Sequence, residues 1–197
     1  TLEPTDMRSS SFRADTLFYT IANKSFNIAP YVNFVCPFSK ERILRIDVWG
    51  NSQQPSPSQL QPIVDDANPN HLRVGNPDLK QSFTTRFRLR YNDYNKVTQR
   101  TIVLNMGMNF KQNSIANRTE YIEEGVQKTM PINVNGVCDG YFNFMYSMPL
   151  NPYFRLSSYT TGNYSRGISF LSDKDVLGEK SISNEMRLYE RLRVTYT

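Results

Sequence analysis

Arginine recurs at every second position in Phe83-Thr84-Thr85-Arg86-Phe87-Arg88-Leu89-Arg90-Tyr91, and apolar residues fill the positions between. Side chains in a strand alternate between faces, so Phe83, Phe87, Leu89 and Tyr91 share one face and Arg86, Arg88 and Arg90 the other. The C-terminal segment repeats the pattern: Met186, Leu188, Leu192, Val194 and Tyr196 against Arg187, Arg191 and Arg193. A guanidinium is a planar fork that matches phosphate or carboxylate oxygens. The six arginines therefore read as candidate contacts for nucleic-acid phosphates, with Tyr91, Tyr94 and Tyr189 near enough to stack on bases. The plainer reading is a solvated face paired with acids such as Glu185 and Glu190.

Other chemistries lack their parts. The single histidine, His71, lies in a proline-rich stretch and reads as a solvated surface residue. No G-x-S-x-G, P-loop or G-x-G-x-x-G motif occurs, so hydrolase, kinase and dehydrogenase readings have no anchor. The pairs Asp65-Asp66 and Glu123-Glu124 read as surface carboxylates rather than a glycosidase dyad. Asp173 to Gly178 begins like a calcium loop, but Leu177 and Asn184 fill ligand positions, so an ordinary turn is expected. Cys36 and Cys138 stand 102 positions apart without histidine partners. They read as thiols packed in strands, with a disulfide only in an oxidising compartment. No metal, no cofactor and no enzymatic activity is expected.

The elements that must position the arginines are strands. The chain has 197 residues and net charge +5, and aromatic residues make up 13%. Arginine outnumbers lysine 15 to 8. That bias favours polyanions or arginine-rich interfaces. No apolar run approaches the ~20 residues of a membrane-crossing helix, so no membrane span is expected. Strands are expected over 15–22, 26–35, 42–49, 83–91, 99–110, 132–134, 137–148, 153–159, 166–171 and 185–196. Residues 1–13 read as an extended leader. Residues 51–80, with Pro55, Pro57, Pro62, Pro69 and Pro77, read as a long surface loop. The one helix is expected within 111–130, where Ile115, Thr119 and Ile122 share a face and Gly125 could stop it. The start at Thr1 reads as a fragment or a processed product.

Together these features predict an all-β single domain over 1–197: a jelly-roll sandwich of about eight antiparallel strands with long loops and at most one short helix. An immunoglobulin-like sandwich lacks its Cys–Trp–Cys pattern. With its Pro/Asn/Ser-rich loops, its aromatic content and a closing Arg191-Leu192-Arg193-Val194-Thr195-Tyr196, the chain resembles the single jelly-roll capsid proteins of small non-enveloped viruses, and in that last segment those of circular single-stranded DNA viruses. The resemblance implies a virion protein that assembles with itself into a shell and binds genome phosphates. A host receptor or glycan is the further partner it implies. The alternative is a secreted or cell-surface β-sandwich module that binds a glycan or a receptor.

Overall fold

A computed structural model describes residues 2–13, 16–65, 68–123, 125–173 and 176–196. Period-two alternation appears in it as strands almost throughout. These are β1 (Leu2–Arg13), β2 (Thr16–Ile28), β3 (Tyr31–Pro37), β4 (Arg42–Gln53), β5 (Val64–Asp65), β6 (His71–Val74), β7 (Ser82–Asn95), β8 (Arg100–Gln112), β9 (Ser114–Glu123), β10 (Val126–Val134), β11 (Val137–Pro149), β12 (Phe154–Asp173) and β13 (Val176–Tyr196). The one helix among the described residues, α1 (Pro57–Leu60), is a single turn. Its Ser56 cap accepts from the Gln59 amide while the Gln59 side chain accepts from the Ser56 amide, a reciprocal capping box.

The long strands follow one another across a single sheet in the order β3-β4-β7-β8-β11-β12, with β13 beside β12. Each neighbouring pair is antiparallel, so the path is an up-and-down meander. The β1–β2 hairpin precedes it. The Ile28 amide donates to Ser52 Oγ at 2.9 Å, which carries the chain from β2 into β3 along the same edge of β4. Pro30, without an N–H, marks the break between them, and its carbonyl takes the Gly50 amide.

The two ends of the meander differ. At one end, residues 38–41, 96–99 and 150–153 make short turns. Asn side chains build them: Asn95 Oδ1 accepts from the amides of Val97 and Thr98, and Asn151 Oδ1 from those of Tyr153 and Phe154. At the other end the chain makes long excursions over 54–81 and 113–136, and β12 and β13 run on past β11. There β9 and β10 form a hairpin, β9 lies parallel to the tip of β12, and β10 lies parallel to β6. This crown is tied by Asn133, which accepts from the Lys80 amide and donates to the carbonyls of Lys80 and Asn113.

The buried apolar residues sit in the crown. Leu60, Leu79, Val134 and Ile168 are the buried hydrophobic residues among those described, and Pro55 is buried beside them. Among the described residues the meander has no second layer. Total accessible surface is 13532 Å², whereas a compact monomer of this mass exposes about 9,600 Å² by area–mass scaling.

The all-β class holds. The arrangement differs from a sandwich, because the sheet has one layer and next-neighbour connections. The expected helix within 111–130 is the β9–β10 hairpin: Gly125, at φ 84°, occupies the turn, and residues on both sides of it pair in register. Pairing across the sheet outweighs the weak helical spacing of Ile115, Thr119 and Ile122. The leader expected over 1–13 is β1, and the 51–80 segment carries the end of β4, α1, β5 and β6. The carboxylate pairs Asp65-Asp66 and Glu123-Glu124 and the Asp173–Gly178 turn fall on side chains outside the described residues.

Candidate functional site: the charged face of the meander

Residues directly opposite in antiparallel strands point to the same side, so the registers sort every side chain of the meander onto one of two faces. One face is apolar from strand to strand. It carries Val32 and Phe34 on β3, Leu44, Ile46 and Val48 on β4, and Phe87, Leu89 and Tyr91 on β7. It continues with Leu104, Met106 and Met108 on β8, Phe142 and Phe144 on β11, and Met186 and Leu188 on β13. Small residues on β12 leave a shallow strip, closed where the Phe142 ring lies over Gly162; a Cβ on Gly162 would come within 2.2 Å of that ring. Charged residues interrupt the belt at Glu190 on β13 and, in the row of Phe110, at Arg166 on β12. Glu190 accepts hydroxyl hydrogen bonds from Ser158 at 2.6 Å and Thr160 at 2.5 Å.

Among the described residues no second sheet pairs or packs over this belt; its side chains on β4, β7, β8 and β11 are half-buried and those on β13 are open. Met186 is 72% exposed and Leu192 70%. A contiguous apolar surface this large must meet another apolar phase. Its height suits a membrane. Ile102 to Phe110 on β8 spans about 27 Å along the strand, or about 21 Å at a tilt near 40°, against an apolar band of about 25 Å in membrane barrels. Aromatic rings mark its short-turn edge, where Phe154 and Tyr196 meet at 5.3 Å and Tyr153 stacks on Tyr196 at 6.3 Å.

The opposite face is polar and basic. It holds Arg45, Arg86, Arg88, Arg90, Lys111, Arg155, Arg187, Arg191 and Arg193 against only Asp47, Asp139 and Glu185. All six arginines singled out from the sequence lie here. They form two groups, separated by β8, β11 and β12, about 19 Å at ordinary strand spacing. The β7 group gains Arg45, directly opposite Arg90, and Trp49, directly opposite Arg86. Only the register brings these two residues to the site.

The β7 arginines differ in how they are held. Arg90 donates to Asp47 at 3.1 Å. The same carboxylate accepts from Tyr31 at 3.0 Å and from Asn33 at 2.6 Å, and Asp47 is only 6% exposed. Arg86 donates to the neutral Asn51 at 2.6 Å. The Arg88 guanidinium lies 5.0 Å from the centre of the Trp49 ring, a cation–π arrangement that fixes the group without cancelling its charge. Among the described residues, Arg45, Arg86 and Arg88 have no carboxylate partner. A hollow of about 260 Å³ opens between Trp49, Arg86, Arg88, Gly107, Asn109 and Tyr141. The Tyr141 ring packs onto Gly107 and forms one of its walls. In the second group, Arg187 pairs with Glu185. Glu190, expected as a partner for these arginines, is on the other face.

Among the described residues no cluster of His, Cys, Asp and Glu could hold a metal ion. His71 is exposed and lines a separate crown cavity of about 670 Å³ with Gln59, Arg73 and Asn117. Cys36 and Cys138 are free, on β3 and β11. With β4, β7 and β8 between them, they stand well beyond the 4.4–6.8 Å Cα separation of a disulfide.

A next-neighbour antiparallel meander, apolar on one face and charged on the other, is the pattern of the wall of a membrane-spanning β-barrel. Among the described residues β3 pairs only with β4 and β13 only with β12, so the wall is an open arc. The chain belongs to the outer membrane protein β-barrel family, whose model matches residues 2–197. Searches of curated proteins and of solved structures found no significant match.

Family membership overturns the capsid reading, and with it the virion location, the self-assembling shell and packaged nucleic acid as partner. It points instead to the bacterial outer membrane, and it does not support a secreted glycan- or receptor-binding module. The physical reason for the error is that half-buried strands with arginine rows look alike whether the apolar side meets a second sheet or lipid. The expectation of no membrane span came from counting apolar runs, a test for helices alone. No described helix is long and apolar enough to cross, but strands of 12 to 14 residues such as β4, β7 and β8 exceed the ~9–11 a barrel needs.

Proposed function

We propose that this chain forms part of the wall of an outer-membrane β-barrel whose lumen admits and binds anionic solutes carrying phosphate or carboxylate groups. The observation that carries this reading is the division of one single-layer sheet into a largely apolar face and a face where cations outnumber carboxylates about three to one. Turned inward, that excess sits against a low-dielectric wall, which focuses the field on passing anions. The short turns face the periplasm and the crown faces outward, following the ordinary asymmetry of such barrels. Positioned charge and shape do the work, with no chemical step, so the protein is not an enzyme.

Planar-bilayer recording of the full-length protein under a KCl gradient tests this reading. A reversal potential on the chloride side is expected. Replacing Arg86, Arg88 and Arg90 with Gln should move it toward zero. A cation-selective wild type, or a variant with unchanged selectivity, refutes the assignment of the arginine face to the lumen.

A further inference from the structure

Three charged residues lie on the apolar face, at its short-turn margin. Arg42 is two positions below Leu44 on β4, Asp93 two below Tyr91 on β7, and Arg100 two below Ile102 on β8. Arg42 and Asp93 are directly opposite, and Arg100 flanks Asp93 from the other side. Arg42 Nε is 3.3 Å from one Asp93 oxygen and Arg100 Nη2 is 3.3 Å from the other. The Asp93 side chain is buried, 6% exposed, whereas the Arg42 and Arg100 side chains are 46% and 37% exposed.

Counting donors makes the cluster incomplete. A guanidinium carries five N–H groups. Asp93 meets one nitrogen of each arginine, and both arginine side chains are partly exposed, so guanidinium N–H groups other than the buried Arg100 Nε remain open to an outside acceptor. Two cations share one anion, so the cluster keeps a net positive charge. In the neighbouring turns Lys96 and Glu41 pair with each other at 2.6 Å, and Arg155 donates to Gln99 beside Arg100, so no further carboxylate offsets the cluster there. At the boundary of the hydrocarbon, unpaired donors and surplus charge are both costly.

We propose that Arg42 and Arg100, held apart and oriented by Asp93, form a binding site for the phosphate of an anionic phospholipid in the periplasmic leaflet. The phosphate oxygens take the free guanidinium N–H groups in charge-assisted hydrogen bonds. The acyl chains then lie on the belt above the site, along Leu44, Tyr91, Leu104 and Ile102. The inference rests on the barrel reading only for which face meets lipid; it is independent of what the lumen carries.

The experiment uses the full-length protein in vesicles of mixed dioleoyl-phosphatidylglycerol and dioleoyl-phosphatidylcholine. Vesicle flotation measures insertion; native mass spectrometry after gentle extraction counts retained lipids. The wild type should retain phosphatidylglycerol in preference to phosphatidylcholine. The R42Q/R100Q pair should float normally and lose that preference by about tenfold or more. The R42K/R100K pair, which restores charge without the fork, should recover part of it. The luminal R45Q should leave retention unchanged. Wild-type protein that floats but shows no preference, or an R42Q/R100Q pair that floats and keeps it, overturns the site. Release of the lipid by millimolar inorganic phosphate also overturns it, because the site would then take a free anion. Failure of the wild type itself to float refutes the barrel reading instead.

Discussion

Met106 lies near the middle of the apolar belt on β8, opposite Leu89 on one side and Phe142 on the other. It lies four positions from Ile102 and four from Phe110, about 10 Å of height to either margin at a tilt near 40°. Arginine placed there has to leave its charge in hydrocarbon or bend the bilayer toward it. The cost on the lipid face of a barrel is about 2–4 kcal/mol at the midplane, which lowers the folding constant about 30- to 900-fold. Asn143 is the matched control. It lies one position along from Phe142 on β11, opposite Asn105 and Thr161, on the charged face. Asn143→Arg puts the same charge at nearly the same height, but into the lumen, and should change stability by less than about 0.5 kcal/mol. Guanidinium unfolding titrations of the full-length protein in lipid vesicles give both values. Equal costs for Met106→Arg and Asn143→Arg, or a larger cost for Asn143→Arg, would show that the belt does not face lipid.

Other outcomes follow from the same geometry. Trp49 is the only tryptophan in the chain and lies on the charged face against Arg88; its fluorescence should respond to a water-soluble quencher and be nearly insensitive to brominated lipid tails, and the reverse would invert the two faces. Leu60 is 1% exposed in the crown core, so Leu60→Ala should cost about 2–5 kcal/mol of local stability, read as faster proteolysis within 54–81 with the membrane-embedded strands still protected. In the turns outside the belt, the Lys96 ammonium beside Glu41 holds its carboxyl below the ordinary value of 4.5, and Glu41 in turn raises Lys96 above 10.5. The Glu41 contribution is present above pH 4.5 and fades as pH falls through its lowered value, while that of Lys96 is present below pH 10.5 and fades as pH rises through its raised value. NMR titration in micelles should show Lys96→Met returning Glu41 toward 4.5; an unmoved Glu41 would refute the pairing.

The alternation in Phe83 to Tyr91 and in Met186 to Tyr196 was legible without coordinates, because a strand imposes period two on its side chains whatever lies on either side. The sequence by itself therefore determined an all-β chain, the arginine rows, and the strands that carry them. It also marked 51–80 as an irregular excursion, through prolines that remove backbone donors. It did not determine what the apolar rows face. Phe87 and Leu89 have the same spacing in a soluble sandwich and against lipid, since both phases reward the same apolar area. The tertiary structure decided that question, because no second sheet lies over those rows and the buried apolar side chains collect in the crown. Register decided the site as well. Arg45 and Trp49 join Arg86, Arg88 and Arg90 only through the pairing of β4 with β7, and the Arg42–Asp93–Arg100 cluster draws on three strands whose residues stand up to 58 positions apart in the chain. Contacts between residues so distant along the chain come from strand pairing, which no local pattern of residues encodes.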